Sequence, residues 1–125
     1  MVKLQTVSII ICGGRDFKDY EFLKNKINSF QDWLVQYNET IGTIHQGGAR
    51  GADALAKRYA YERSIDCITH EAEWDKYGKS AGIKRNLRML AFANPKYTIG
   101  FMGGRGTSHM IEISKGIKIR TFHIK

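Results

Sequence analysis

Residues 7–12 read VSIIIC, a β-branched run with three successive isoleucines, and GGRD follows at once. A continuous run of this kind suits a strand covered on both faces, as inside a parallel sheet. The glycine pair ends the strand in a tight turn and places Arg15 and Asp16 at its C-terminal end. The same succession of apolar run, glycine-rich turn and helical spacing occurs again at 41–60 and at 97–115. Parallel strands need long crossover connections, so the repetition restricts the chain to an α/β fold.

After the first turn, Phe22, Leu23, Ile27, Phe30, Trp33, Leu34 and Tyr37 recur at three- and four-residue steps. This predicts an amphipathic helix from Tyr20 to about Tyr37, with its aromatics in the core. Residues 38–42 read as a turn and 41–45 as a short second strand, running into QGGARGAD at 46–53. The helix after it presents Ala52, Leu55, Ala56, Tyr59 and Ala60 on one face, small enough to sit close to a sheet. Residues 66–69 are a third strand, ending near His70, Glu71, Glu73 and Trp74. In the next helical stretch Ile83, Leu87, Leu90 and Ala91 follow a helical spacing, and Asn94-Pro95 breaks the helix. Strand four is 97–102. Its glycine turn is Gly103, Gly104 and Gly106, with Thr107 and then Met110, Ile111 and Ile113 on a helix capped by Gly116. Residues 117–124 supply a fifth strand. The expected architecture is a single-domain, three-layer α/β sandwich with a mostly parallel five-stranded sheet and right-handed crossovers.

In such a sheet the loops after the strands share one edge, and ligands bind there at the topological switch point. The three glycine turns therefore converge on one crevice. At the third turn, a helix N-terminus exposes unpaired N–H groups and the positive end of the helix dipole. Glycines before it let an anion approach the backbone with no β-carbon in the way. Thr107 serves either as a cap or as a hydroxyl donor to a phosphate. Asp53 suits a helix first turn, or a hydrogen bond to a ribose hydroxyl or a polarised water.

At 125 residues the chain makes one domain. It has no run of 18 apolar residues, so no membrane span is expected. The N-terminal stretch lacks a small-residue cleavage site before GGRD, so no signal peptide is expected and a cytoplasmic location is. Cys12 and Cys67 lie in apolar stretches and read as free thiols in a reducing compartment. Neither has a second Cys or His at ligand spacing, and neither a metal nor another cofactor is expected. The formal net charge of +8 points to an acidic partner, a nucleic acid or a phosphorylated small molecule. Lys76, Lys79, Lys84, Arg85 and Arg88 form its densest segment.

None of the turns is a GxGxxG dinucleotide fingerprint or a GxxxxGK[ST] phosphate loop, and HExxH and GxSxG are absent. Of the four histidines, His45 and His70 fall at the expected ligand edge.

Four blocks in order, GGRDF (13–17), GGARGAD (47–53), YGKSAGIKRNLRML (77–90) and GGRGT (103–107), resemble the YspA-type branch of the SLOG superfamily. That superfamily also includes the LOG nucleotide hydrolases and the DNA-processing protein DprA/Smf. The resemblance spans nearly the whole chain. It implies a Rossmann-like fold and a nucleotide or nucleotide-derived ligand at the glycine loops. In the LOG motif PGGxGTxxE, Gly103, Gly104, Gly106 and Thr107 match the phosphate loop, whereas Met102 replaces the proline and Met110 the catalytic glutamate. Glu112, about 200° further around the helix, is a poor substitute. Arg85 matches the arginine of an RKxxM motif. His109 stands where the YspA-type branch commonly has Asp. The resemblance also implies a homodimer paired through helices.

Three functions follow as expectations. The first is a nucleotide-derivative binder, a sensor or a sequestering protein. Its ligand site comprises Gly13, Gly14, Arg15, Asp16, Gly47, Gly48, Arg50, Gly51, Asp53, Arg85, Asn86, Gly103, Gly104, Gly106 and Thr107. The second is a hydrolase of an N-glycosidic or phosphate bond, using Asp53, Arg85 or a nearby acid such as Glu71 or Glu73. The third is DprA-like nucleic-acid binding through the segment from Lys76 to Arg88.

Overall fold

In the computed structural model, which describes residues 3–125, strands and helices alternate along the chain. The order is β1 (Gln5–Cys12), α1 (Tyr20–Val35), β2 (Glu39–Gln46), α2 (Ala52–Glu62), β3 (Asp66–Thr69), α3 (Trp74–Tyr77) and a 3₁₀ turn (Gly78–Ser80). Then come α4 (Ala81–Ala93), β4 (Tyr97–Gly100), α5 (Arg105–Gly116) and β5 (Arg120–His123). The strands form one sheet in the order β3-β2-β1-β4-β5, and every pairing is parallel. This is a Rossmann-like α/β fold, its sheet wholly rather than mostly parallel.

β1 lies at the centre because its side chains are apolar on both faces. Val7, Ile9 and Ile11 pack with Leu23, Ile27 and Leu34 of α1 and Ala56 and Ala60 of α2. Ile10 and Cys12 point the other way, to Met89, Leu90 and Ala93 of α4 and Met110 and Ile111 of α5. Ile9, Ile10 and Ile11 are fully buried, each worth about 1.5–3 kcal/mol of transfer free energy. The alanine face of α2 does bring that helix close: a β-carbon on Gly13 would sit 2.4 Å from the Ala52 β-carbon.

Several local expectations change. α1 ends at Val35, leaving Tyr37 outside the helix and exposed, and β4 ends at Gly100. The turn before β2 is at Asn38, whose φ is 62°, and Glu39 already belongs to the strand. Glu39 is buried and bonds Lys96 and the Tyr97 hydroxyl, so a charged residue belongs inside the sheet here. Gly42 sits at a bulge opposite the Val7–Ser8 step. At the end of α5, Gly116 is the last helical residue and Lys118 takes the left-handed position (φ 65°), which shortens β5 to Arg120–His123. On α4 the buried stripe is Ala81, Asn86, Met89, Leu90 and Ala93, whereas Ile83 and Leu87 are half exposed and Ala91 is exposed. The inward face of α4 includes polar Asn86, which an apolar pattern cannot flag.

Candidate functional site

The strand order reverses direction between β1 and β4, which puts the topological switch point at the loops that follow them. Those loops are joined backbone to backbone: the Gly14 amide donates to the Met102 carbonyl oxygen at 2.9 Å. A β-carbon on Gly14 would lie 3.0 Å from Gly103 Cα, and one on Gly103 would lie 2.6 Å from the Gly14 nitrogen and 2.3 Å from Thr107 Oγ1. The second glycine turn closes on the first from the other side. The Ala52 amide donates to Gly14 O at 3.1 Å, and Gly51, at φ +84°, would place a β-carbon 2.2 Å from that same oxygen. Gly13, Gly14, Gly51 and Gly103 thus let three loops pack together.

Gly104 and Gly106 are different. A β-carbon at either meets nothing within 4 Å, and neither has positive φ. Gly104 occupies the N-cap position of α5 with no side-chain cap. The start of α5 therefore has no side chain at 104 or 106, and the space a side chain would fill there is open. Thr107, one turn in, is buried.

Behind the second turn lies an ordered polar network. Arg85 reaches from α4 to donate from Nη1 to the Gly47 carbonyl oxygen at 2.5 Å, and Nε donates to Asn86 Oδ1 at 2.9 Å. A β-carbon on Gly47 would lie 2.4 Å from Nη1 and 3.0 Å from Asp53 Oδ2, so this glycine makes room for the Arg85 head. Asp53 is buried and accepts from the Ala49 amide at 3.2 Å. Burial pushes its carboxyl up to about 6, against the pull of that amide and of Arg85. Burial also lowers the Arg85 pKa. Cys12 lies beneath, its thiol pushed up to about 12 by burial and then by Asp53, which makes it a poor nucleophile.

Asn86 is buried and committed to the fold. Its Nδ2 donates to the Gly106 carbonyl oxygen at 3.2 Å and lies 3.1 Å from His109 Nδ1, tying α4 to the first turn of α5. Gln46 was not expected at the site. It is fully buried, donates to Thr69 Oγ1 at 2.6 Å and accepts from the Gly48 amide at 2.6 Å, so it shapes the second turn. Only its place just before GG could have marked it.

Arg15, Asp16 and Arg50 sit on the rim, all exposed, with Arg50 Nη2 3.3 Å from Asp16 Oδ1. The Arg15 guanidinium lies 5.6 Å from the ring centre of Trp74. Glu71 and Glu73 are exposed, and the Glu71 carbonyl accepts from Arg88. Gly48 faces Thr69 and Glu71. His45 and His70 come together, with His45 Nδ1 2.9 Å from His70 Nε2, and Phe92 packs against both rings. The segment 76–88 is divided. Lys76, Lys79, Lys84 and Arg88 are exposed, whereas Arg85 turns inward. Met110 is wholly buried in the core, so its position offers no catalytic group to the crevice.

Among the described residues, no group of three or more His, Cys, Asp or Glu gathers to hold a metal ion, and no helix is long and apolar enough to cross a membrane. A model of the YspA, cpYpsA-related SLOG family matches residues 7–77, taking in the first two glycine turns and stopping before Arg85. The Gene 61 protein of Mycobacterium phage D29 is 33% identical over 123 residues, covering 91% of this chain and 94% of that protein. No solved structure matches the chain.

Proposed function

The chain belongs to the YspA, cpYpsA-related SLOG family, and on that premise we propose that it binds a nucleotide or nucleotide-derived ligand, as a sensor or a sequestering protein. Family membership points to a nucleotide-related function. One observation carries the finer reading: Gly104 and Gly106 are the glycines of the crevice that neither packing nor φ explains. What they leave clear is the N-terminus of α5, where an anionic phosphate meets first-turn amides and a helix dipole. Arg15 and Arg50 add positive charge from the rim. Arg85 acts through the fold, by holding Gly47 and with it the second turn. Asp53, which accepts from the Ala49 amide of the second turn, is the candidate partner of a ribose hydroxyl. Asn86 supports the first turn of α5 from behind.

Bond cleavage is the second reading, and Asp53 favours it. A carboxyl pushed up to about 6 by burial, beside Arg85 and the second turn, is suited to proton transfer. Ile83 and Leu87, half exposed one turn apart on the outside of α4, support a homodimer paired through helices. The exposed side chains of Lys76, Lys79 and Lys84 support nucleic-acid binding along α3 and the start of α4.

Incubation with a nucleotide-rich extract, washing, denaturation and mass spectrometry of what is released test the proposal. An intact nucleotide-derived molecule released by the wild type, and not by Gly104→Asp, is the expected result. A depleted nucleotide with a new free base or sugar phosphate in solution would instead establish the hydrolase. No bound or consumed molecule would refute both.

A further inference from the structure

Trp74 has no assigned role, yet its indole lies at the rim of the crevice. It is half exposed, and its six-membered ring rests against Gly82, where a β-carbon would come to 3.4 Å of Cη2. The Arg15 guanidinium stands 5.6 Å from the ring centre. Arg15 follows Gly14, which is bonded to the loop before α5, so the residue beside the indole belongs to the loop that joins the proposed phosphate site. Arg15 makes no ion pair among the described residues and is exposed, so it is free to move aside or to close over an inserted ring. A shallow groove runs along residues 72–76, with Trp74 between Glu73 and Asp75. Lys76 lines the groove as well, and two carboxylates against one ammonium still disfavour a phosphate, while the N–H groups of an aromatic base gain acceptors.

We propose that Trp74 and Arg15 form the two sides of a slot for the ligand's nucleobase, with the sugar bridging back to a phosphate at α5. This rests on the reading of the crevice given above and specifies it: the ligand carries an aromatic base, and its base end is recognised by stacking. Stacking on an aromatic side chain is tolerant of base identity, so selectivity among bases falls to Glu73 and Asp75.

Calorimetric titration of the full chain with AMP, GMP, CMP, UMP and ribose 5-phosphate tests this, in wild type, Trp74→Ala, Trp74→Phe and Gly104→Asp. The expected result is that at least one nucleotide binds about tenfold or more tighter than ribose 5-phosphate, in keeping with the strength of base stacking. Trp74→Ala removes that advantage and leaves ribose 5-phosphate unchanged, and Trp74→Phe keeps most of it. Tryptophan emission changes with the nucleotide and not with ribose 5-phosphate. If Trp74→Ala leaves the ratio of nucleotide to ribose 5-phosphate affinity unchanged, while Gly104→Asp abolishes binding of both, the slot is wrong and the phosphate site stands. If none of the five probes binds the wild type, the slot falls together with the phosphate site.

Discussion

The Gly14 amide and the Met102 carbonyl oxygen, 2.9 Å apart, join the loops that leave the two strands on either side of the switch point. Everything placed at the crevice depends on that junction. Loop one carries Arg15, and loop four continues into the N-terminus of α5. The glycines around it divide into those that let the loops touch and those that leave the helix end bare.

That division makes opposite predictions for similar substitutions. Gly51→Ala drives a β-carbon to 2.2 Å from Gly14 O at a φ of +84°, so it destabilises the protein by at least about 2 kcal/mol or prevents folding. Gly106→Ala puts a methyl group into open space within a helix and raises stability by about 0.5–1 kcal/mol. It also narrows the approach to the α5 amides, so nucleotide affinity falls. Denaturant unfolding and a binding titration on the two variants check the pair.

Gly104→Asp separates binding from folding more sharply. Aspartate is a favoured N-cap, better than glycine by a few tenths of a kcal/mol, and its charge suits the helix dipole. The same carboxylate occupies the place proposed for a phosphate. Melting temperature is expected to hold or rise while affinity for nucleotides drops at least about tenfold, the charge-assisted bonds to phosphate being lost. A fall in both would show that Gly104 is a folding residue.

Asp53 gives a pH prediction with a definite sign. Its folded-state value of about 6 lies above the ordinary 3.8, so folding favours the protonated acid. The stability this supplies is complete below about pH 4 and lost as pH rises through 6. Asp53→Asn keeps an acceptor for the Ala49 amide and removes the titration. The variant is therefore expected to gain on the wild type by on the order of 3 kcal/mol between pH 4 and pH 7. Urea unfolding of both proteins across that range provides the comparison, and parallel curves would show that the carboxyl is not perturbed.

The His45–His70 pair works in the opposite direction. Burial lowers both imidazoles first, followed by the partner ring for His45 and by Arg88 and Arg85 for His70. Their contribution is present above pH 6.5 and is lost as the pH falls through the folded-state values. Replacing His45 by Gln should flatten the acid limb of the stability curve relative to wild type. An unchanged acid limb would mean that the pair takes up no proton penalty.

How much of this the sequence carries depends on the kind of residue. β1, α1 and the crossover pattern follow from runs of Ile and from aromatics at helical steps, signals of burial that survive without tertiary context. The start of β2 was hidden because Glu39 is a buried acid whose partners, Lys96 and Tyr97, lie more than 50 residues away. The turning of Arg85 and Asn86 into the fold, and the exposure of Ile83 and Leu87, reverse the usual polarity of a helix face for the same reason. The glycine motifs do follow the C-terminal ends of β1, β2 and β4. They did not tell which glycines serve packing, because that depends on what lies opposite each one. Gln46 and Trp74 had no motif to announce them.

The most direct measurement is an amide-resolved NMR titration of the wild type with nucleoside 5′-monophosphates. The predicted result is saturable shifts centred on the amides of Arg105, Gly106 and Thr107, absent from Gly104→Asp. Shifts confined to the exposed lysines of residues 76–84, or none at all, would contradict a phosphate site at the start of α5.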